Sequence, residues 1–339
     1  MQLLITGGCG FIGTNFIQLA LKELKDVYIV NLDNLTYAGN PYNLKEIETT
    51  KPDQYLFIHG DIGNATLVQS LLQSYSFDAI INFAAESHVD RSITNALPFI
   101  TTNILGTQIL LDAARAMNVP KFIQISTDEV YGSLGINGKF SEKTPLSPNS
   151  PYSASKASAD MLVHAAYKTY GINTIITRCS NNYGPYQFPE KLIPLMIHRA
   201  LMDESLPIYG DGLQVRDWIH VEDHCRGILL VLEKGRPGNI YNFGGSAEQT
   251  NLAVVKEILH LLNKPNSLIH HVKDRPGHDR RYAMDFSKAA KELGYMPQIT
   301  FNKGLAATVN WYLSHRDWVQ NILSGDYKEF MNRWYKDRL

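Results

Sequence analysis

Tyr152 and Lys156 stand four residues apart, directly after Pro151. On a helix that spacing places both side chains on one face. Proline suits the first helical position, so the helix is expected to begin there. An ammonium beside a phenol stabilises the phenolate and lowers its pKa, which makes tyrosine a usable base near neutral pH. Read alone, the pair is also what an ordinary exposed helix carries. Upstream, the run Ser126-Thr127-Asp128-Glu129-Val130-Tyr131-Gly132 follows an apolar segment. Adjacent acids on a surface loop are usually solvated charge. This pair instead leaves a buried strand and enters Val130-Tyr131, so it is expected to be only partly exposed. Eliminating water needs one group to take a proton from carbon and another to protonate the departing hydroxyl, and two neighbouring acids satisfy that need. A simple dehydrogenase needs only the tyrosine and the lysine.

A third constellation opens the chain. Gly7, Gly10 and Gly13 lie in Thr6-Gly7-Gly8-Cys9-Gly10-Phe11-Ile12-Gly13, between a short apolar run and an amphipathic one. Glycine lets the backbone turn tightly and approach a pyrophosphate, and the helix that follows offers free N–H groups and the positive end of its dipole. Asp33 comes twenty residues after Gly13, at the expected end of the second strand. There a carboxylate holds a ribose 2′-hydroxyl and repels a 2′-phosphate, which favours NAD over NADP. Asp61 ends the third expected strand; it either reaches the adenine or caps the next helix.

These groups require a scaffold that brings strand ends together. Short apolar runs at Leu3–Ile5, Val27–Asn31, Tyr55–His59, Ala79–Ala85, Lys121–Ser126 and Thr174–Arg178 alternate with helical segments. That alternation predicts an α/β fold, a doubly wound, Rossmann-like parallel sheet with helices on both faces. Every group named so far follows a strand's carboxyl end, where such sheets bind ligands. After Arg178 the texture changes to Asn-, Pro-, Tyr- and Gly-rich loops. The expected division is a cofactor-binding domain over 1–178, with segments near 217–244 returning to it. A smaller C-terminal α/β substrate-binding lobe is expected over 179–216 and 245–339.

The bulk properties fit a soluble globular protein: 339 residues, 44% hydrophobic, 19% charged, net charge −1. They give no electrostatic reason to expect nucleic acid or an acidic membrane as partner. No apolar stretch approaches a membrane span, and a strand beginning at Gln2 leaves no room for a removable leader. Cys9, Cys179 and Cys225 are widely spaced. That argues against a disulfide framework and against a metal site, and it fits the reducing cytoplasm.

The glycine run and the Tyr152/Lys156 pair resemble the extended short-chain dehydrogenase/reductase superfamily. Four stretches narrow this: Ala84 to Ser92, Ser126 to Gly132, Asn181 to Pro194 and Asp274 to His278. They resemble the dTDP-glucose 4,6-dehydratase family, and the resemblance runs from Met1 to about Tyr312. It implies an internal redox dehydration that makes a 4-keto-6-deoxy sugar nucleotide for a deoxysugar such as rhamnose. Tyr152 would take the 4-hydroxyl proton, with Lys156 tuning it and Thr127 hydrogen-bonding nearby. Glu129 would take the C5 proton, and Asp128 would protonate the departing 6-hydroxyl. By the same resemblance NAD would be lined by Phe11, Ile12, Asp33, Asn34, Asp61, Ile62, Ala84, Ala85, Thr102 and Asn182, besides the three glycines, Tyr152 and Lys156. Asn34 stands where family members often carry a charge. The sugar nucleotide would be held by Ser87, Thr127, Asn181, Glu190, Lys191, Leu192, Tyr209, Arg216, Asn251, Arg275 and His278. Forked arginines suit a diphosphate, although a lone arginine seen without context is more often a surface ion pair and His278 could be a plain loop residue.

Two other functions fit parts of this pattern. A 4-epimerase would use Tyr152 and NAD without releasing water, and would not need Glu129. A non-catalytic NAD-binding regulator would commonly lack Tyr152 or Lys156. The segments Asn103–Met117 and Tyr152–Tyr170 carry apolar residues on more than one face (Ile109, Leu110, Leu111; Met161, Leu162, Val163). Such helices are buried on several sides, either as deep core or as the homodimer interface that the superfamily resemblance implies.

Overall fold

The structure is a computed structural model that describes residues 1–322. The last part of the lobe expected over 245–339, residues 323–339, lies outside the described residues. Among the described residues twelve strands are formed. They are β1 (Gln2–Thr6), β2 (Tyr28–Asp33), β3 (Tyr55–His59), β4 (Ala79–Asn82), β5 (Phe122–Thr127), β6 (Thr174–Cys179), β7 (Asn181–Tyr183), β8 (Leu206–Tyr209), β9 (Val215–His220), β10 (Ile240–Phe243), β11 (Glu248–Thr250) and β12 (Ile269–Val272).

Seven of them make one parallel sheet in the order β10-β6-β5-β4-β1-β2-β3. Every residue of β4, β5 and β6 is buried, as is all of β1 and β2 but the first residue of each. A sheet covered by helices on both faces needs such unbroken apolar runs in place of an alternating pattern. The expected strand Ala79–Ala85 ends at Asn82, because its last residues leave the ladder to line the cleft described below. Thr6 Oγ1 donates to Asn82 Oδ1 (2.6 Å) and Asn82 Nδ2 to Gln124 Oε1 (2.8 Å), a buried polar row across β1, β4 and β5. These hydrogen bonds tie the three strands together below the ends that carry the site.

Chain order reverses between β1 and β4. From β1 the sheet runs outward to β2 and β3 on one side, and through β4, β5, β6 and β10 on the other. Crossovers therefore diverge at this point, and a crevice opens beyond the carboxyl ends of β1 and β4. The helix Val221–Lys234 packs against the first helix, Phe11–Glu23, and β10 then extends the sheet beside β6. The remaining strands form a three-stranded sheet (β11-β9-β7) and a two-stranded one (β12-β8). They surround a separate core that includes Tyr183, Ile197, Trp218, Ile258, Phe301 and Leu305. Among the described residues no helix is long and apolar enough to cross a membrane.

Candidate active site

At Gly7 the backbone is left-handed (φ +69°), and a Cβ there would come within 2.6 Å of the Ala84 backbone nitrogen. Loop and strand end thus meet at the switch point only because Gly7 has no side chain. The helix Phe11–Glu23 starts at Gly10, which offers no side-chain cap to its first N–H groups. These groups line the crevice with the helix dipole behind them, an anion-binding arrangement. Asp33 closes the other side. Its Oδ2 accepts from Cys9 N–H and its Oδ1 from Leu35 N–H, each at 2.8 Å. Burial raises its pKa, and those two N–H groups pull it back. Each oxygen keeps a lone pair for a ribose hydroxyl.

Asp61 does not cap the next helix. Asn64 does, accepting from Leu67 N–H at 3.1 Å, while Asp61 Oδ2 accepts from Asn34 Nδ2 at 3.0 Å. Asn34 therefore orients Asp61 by hydrogen bonding where a charged residue would do so by charge.

The cleft continues from this cradle to the reaction residues. Thr127 ends β5, and Asp128 and Glu129 open a short 3-10 turn, Asp128–Tyr131. Ser150 and Ser153 cap the helix Pro151–Tyr170 reciprocally, with Ser153 N–H donating to Ser150 Oγ (3.1 Å) and Ser150 N–H to Ser153 Oγ (3.0 Å). This anchors the first turn that carries Tyr152. Asp128 is 2% exposed, whereas Glu129 is only partly buried. Burial first, and then the neighbouring Glu129 charge, push Asp128 well above the usual carboxylate range. Burial also raises Glu129, but Arg275, Lys191 and Arg216 oppose it. The environments push the two acids apart: burial favours the protonated form of Asp128, and the cations favour Glu129 as carboxylate.

One expectation is not met. The Tyr152 phenol is raised well above its ordinary value, by burial first and then by Glu129, Cys179 and Asp128. Lys156 Nζ donates to the Ile125 carbonyl at 2.7 Å, and its own pKa is lowered by burial. In this geometry desolvation and the carboxyls outweigh the ammonium that the four-residue spacing brings near.

All the residues expected at the cofactor line this one cleft: Gly7, Gly10, Phe11, Ile12, Gly13, Asp33, Asn34, Asp61, Ile62, Ala84, Ala85, Thr102, Tyr152, Lys156 and Asn182. Ser87, Thr127, Asn181, Glu190 and Lys191 line it as well. Ser126 Oγ, Asp128 Oδ2, Ser180 Oγ and Asn181 Oδ1 are buried without a hydrogen-bond partner, although their residues face the cleft. Buried orphan acceptors and hydroxyls are costly, so the cavity suits an elongated polar ligand. Burial raises Glu190 to about 7. Lys191 Nζ donates to the Ser87 carbonyl at 2.8 Å.

The other expected substrate residues stand outside that lining, in the second lobe. Leu192 and Asn251 begin helices. Arg216 donates to the Val215 and Asp279 carbonyls and stacks over Tyr282 at 4.3 Å from the ring centroid. His278 meets Asp274 Oδ1 at 2.6 Å and packs edge-on against Tyr209, and burial lowers it to about 4. Arg275 and Arg216 nevertheless act on Glu129 electrostatically. Thr36, Glu86, Cys179, Gln187 and Phe188 also line the cleft. Cys179 and Glu86 follow β6 and β4 or end them, and strand-end position was the signal available for both. All three cysteines are buried, and burial raises the Cys179 thiol to about 12, which disfavours the thiolate a nucleophile needs.

The family model described as GDP-mannose 4,6 dehydratase matches residues 4–308. A dTDP-glucose 4,6-dehydratase from Xanthomonas campestris pv. campestris is 53% identical over 96% of this chain and 97% of its own. The chain belongs to the dTDP-glucose 4,6-dehydratase family. Within the family, the Bacillus anthracis structure, solved in complex with NAD, is 49% identical with a TM-score of 0.89, over 95% of this chain and 99% of that one. A UDP-glucuronic acid 4-epimerase from Bacillus cereus shares the fold at a TM-score of 0.86 but only 32% identity, over 93% of this chain and 99% of its own. The fold is thus common to dehydratases and epimerases, and sequence similarity places this chain with the former.

Proposed function

We propose that this chain is an NAD-dependent dTDP-glucose 4,6-dehydratase, which converts the sugar nucleotide to its 4-keto-6-deoxy form. The observation that carries this reading is the acid pair. Asp128 and Glu129 sit in the same cleft as Tyr152 and Lys156, one buried where its protonated form is favoured, the other acted on by the cations Arg275, Lys191 and Arg216. When bound, NAD supplies the oxidation at C4 and the reduction at C6. The N–H groups opening the helix after Gly10 hold its pyrophosphate, and Asp33 takes its ribose hydroxyls and disfavours a 2′-phosphate. Tyr152 accepts the 4-hydroxyl proton; the Thr127 hydrogen bond and the positive charge that oxidised nicotinamide would bring beside it both oppose the burial that raises its phenol. The resulting 4-keto group acidifies C5–H, so Glu129 takes that proton. Asp128 passes its own proton to the leaving 6-hydroxyl. Residues 1–178 with 217–244 serve the cofactor, and the rest of the chain serves the sugar nucleotide.

The test is a mass spectrum of dTDP-glucose incubated with the purified protein in deuterated water. The reading expects loss of one water and gain of one solvent deuterium at C5. An unchanged mass, or loss of water without deuterium, overturns it. An epimer formed from UDP-glucose at unchanged mass would point to a 4-epimerase.

We further propose that the chain works as a homodimer. Leu110, Leu111 and Val163 belong to the core, but Leu97, Ile100, Leu105 and Met161 are 49–66% exposed on neighbouring helical segments. A cluster of large exposed apolar side chains is the mark of an interface. Sedimentation is expected to give twice the chain mass, and Leu105→Glu with Met161→Glu to give the monomer. A wild-type monomer would refute the assignment.

A further inference from the structure

We propose that Asp90 is a positioning residue for the sugar nucleotide, holding Arg275 and Tyr209 in the arrangement that receives the diphosphate. The inference rests on the function proposed above. Asp90 lies in the first turn of the helix Val89–Thr94, after β4, and is 5% exposed. Its Oδ1 accepts from Arg275 Nη1 at 3.1 Å, and its Oδ2 accepts from the Tyr209 hydroxyl at 3.0 Å. One carboxylate thus joins two segments, 185 and 119 residues away in the chain.

Among the described residues the guanidinium is hydrogen-bonded at one corner only. Arg275 Nε is buried and has no hydrogen-bond partner. A buried donor of a charged group is costly to leave unmade, and an anionic oxygen is its natural complement. Tyr209 is fixed on its other side by the edge-on His278 ring, whose Nδ1 meets Asp274. Asp90 therefore orients a cation and a hydroxyl of the far lobe, with Arg275 near enough to act electrostatically on Glu129 of the cleft. The same turn secures the cleft's other margin. Arg91 lies 3.6 Å from Glu190 Oε2 and stacks over Tyr37 at 4.0 Å. His88 Nε2 also lies 3.6 Å from that oxygen. Asp90 itself touches none of the reaction residues by hydrogen bond, so its contribution passes through Arg275 and Tyr209.

The test compares D90N, R275Q and the double variant. D90N keeps the side chain's size and an acceptor for Tyr209 but removes the charge that holds Arg275. It is expected to raise KM for dTDP-glucose and Kd for dTDP by about tenfold, the scale of one charged hydrogen bond. Its kcat should stay within about threefold of wild type and its NAD content unchanged, because the cofactor cradle is untouched. In the R275Q background D90N should add less than about twofold, since residues acting as a unit are not additive. Additive penalties, or a D90N protein with wild-type KM and dTDP affinity, overturn the proposal. Y209F deletes the second contact without creating an unpaired cation, so it covers the case of an unfolded D90N. A Y209F protein with wild-type dTDP affinity would then count against the proposal. Wild-type protein that neither binds dTDP nor consumes dTDP-glucose refutes the underlying function instead, before any variant is compared.

Discussion

Glu129→Gln is expected to abolish water loss from dTDP-glucose while leaving cofactor content and dTDP affinity as in wild type. The substitution preserves shape and removes the carboxylate that Arg275, Lys191 and Arg216 together favour as an anion. A positioned general base contributes about 100- to 10,000-fold, so turnover should fall by that range, and deuterium uptake at C5 should fall with it. Asp128→Asn makes the complementary case. There the base survives and the acid is lost, so C5 exchange should continue while release of water slows. Such a split separates two proton transfers that a single rate would merge. Mass spectrometry of product and recovered substrate in deuterated water reads both. A Glu129→Gln enzyme that still dehydrates would transfer the base role elsewhere. An enzyme indifferent to the substitution and releasing no water would be an epimerase.

The same pair shows how much of the site was legible in the sequence. That two adjacent acids leave a buried strand is written in residues 121–131, because an apolar run followed by Thr-Asp-Glu has only one face to offer. Which acid is the proton donor is not written there. It depends on Asp128 being 2% exposed and on cations that arrive from residues 191, 216 and 275, none near in the chain. The raised Tyr152 is a similar case. Spacing brings Lys156 onto the same helix face, but the balance is set by burial and by Glu129 and Asp128, which lie on another element. The glycine cradle lies at the opposite extreme. Strand, glycines, helix and Asp33 fall within one contiguous stretch, and local chemistry determines them.

The sheet was legible for a related reason. Parallel strands buried on both faces need unbroken apolar runs, which stand out in the first half of the chain. The strands of the second lobe are three to six residues long and partly polar, and their pairing joins distant segments such as β12 with β8. Asp90 belongs to this less legible class. It sits inside a motif without a chemical signature of its own, and its partners are revealed only when the lobes meet.

Gly13→Ala is expected to cost the protein its cofactor. Gly13 lies inside the first helix with an unexceptional backbone, so alanine brings no conformational penalty and should favour the helix slightly. The added Cβ, however, would come within 2.4 Å of the Gly7 carbonyl oxygen and 2.7 Å of the Gly8 Cα. Both are backbone atoms, with no flexible side chain to give way. The helix must move off the loop, and its first N–H groups move with it, away from where a pyrophosphate would lie. Losing one or two charge-assisted hydrogen bonds weakens NAD binding by about 100-fold. Wild-type protein should purify with NAD bound, because the reaction returns the cofactor to its starting state. The variant should purify largely without it, and titration should show the weaker Kd. Gly135→Ala provides the control, since a Cβ at Gly135 meets nothing within 4 Å. If Gly13→Ala retained NAD as wild type does, close approach of helix and loop would not be what builds the cradle. The pyrophosphate would then have to be held elsewhere in the cleft.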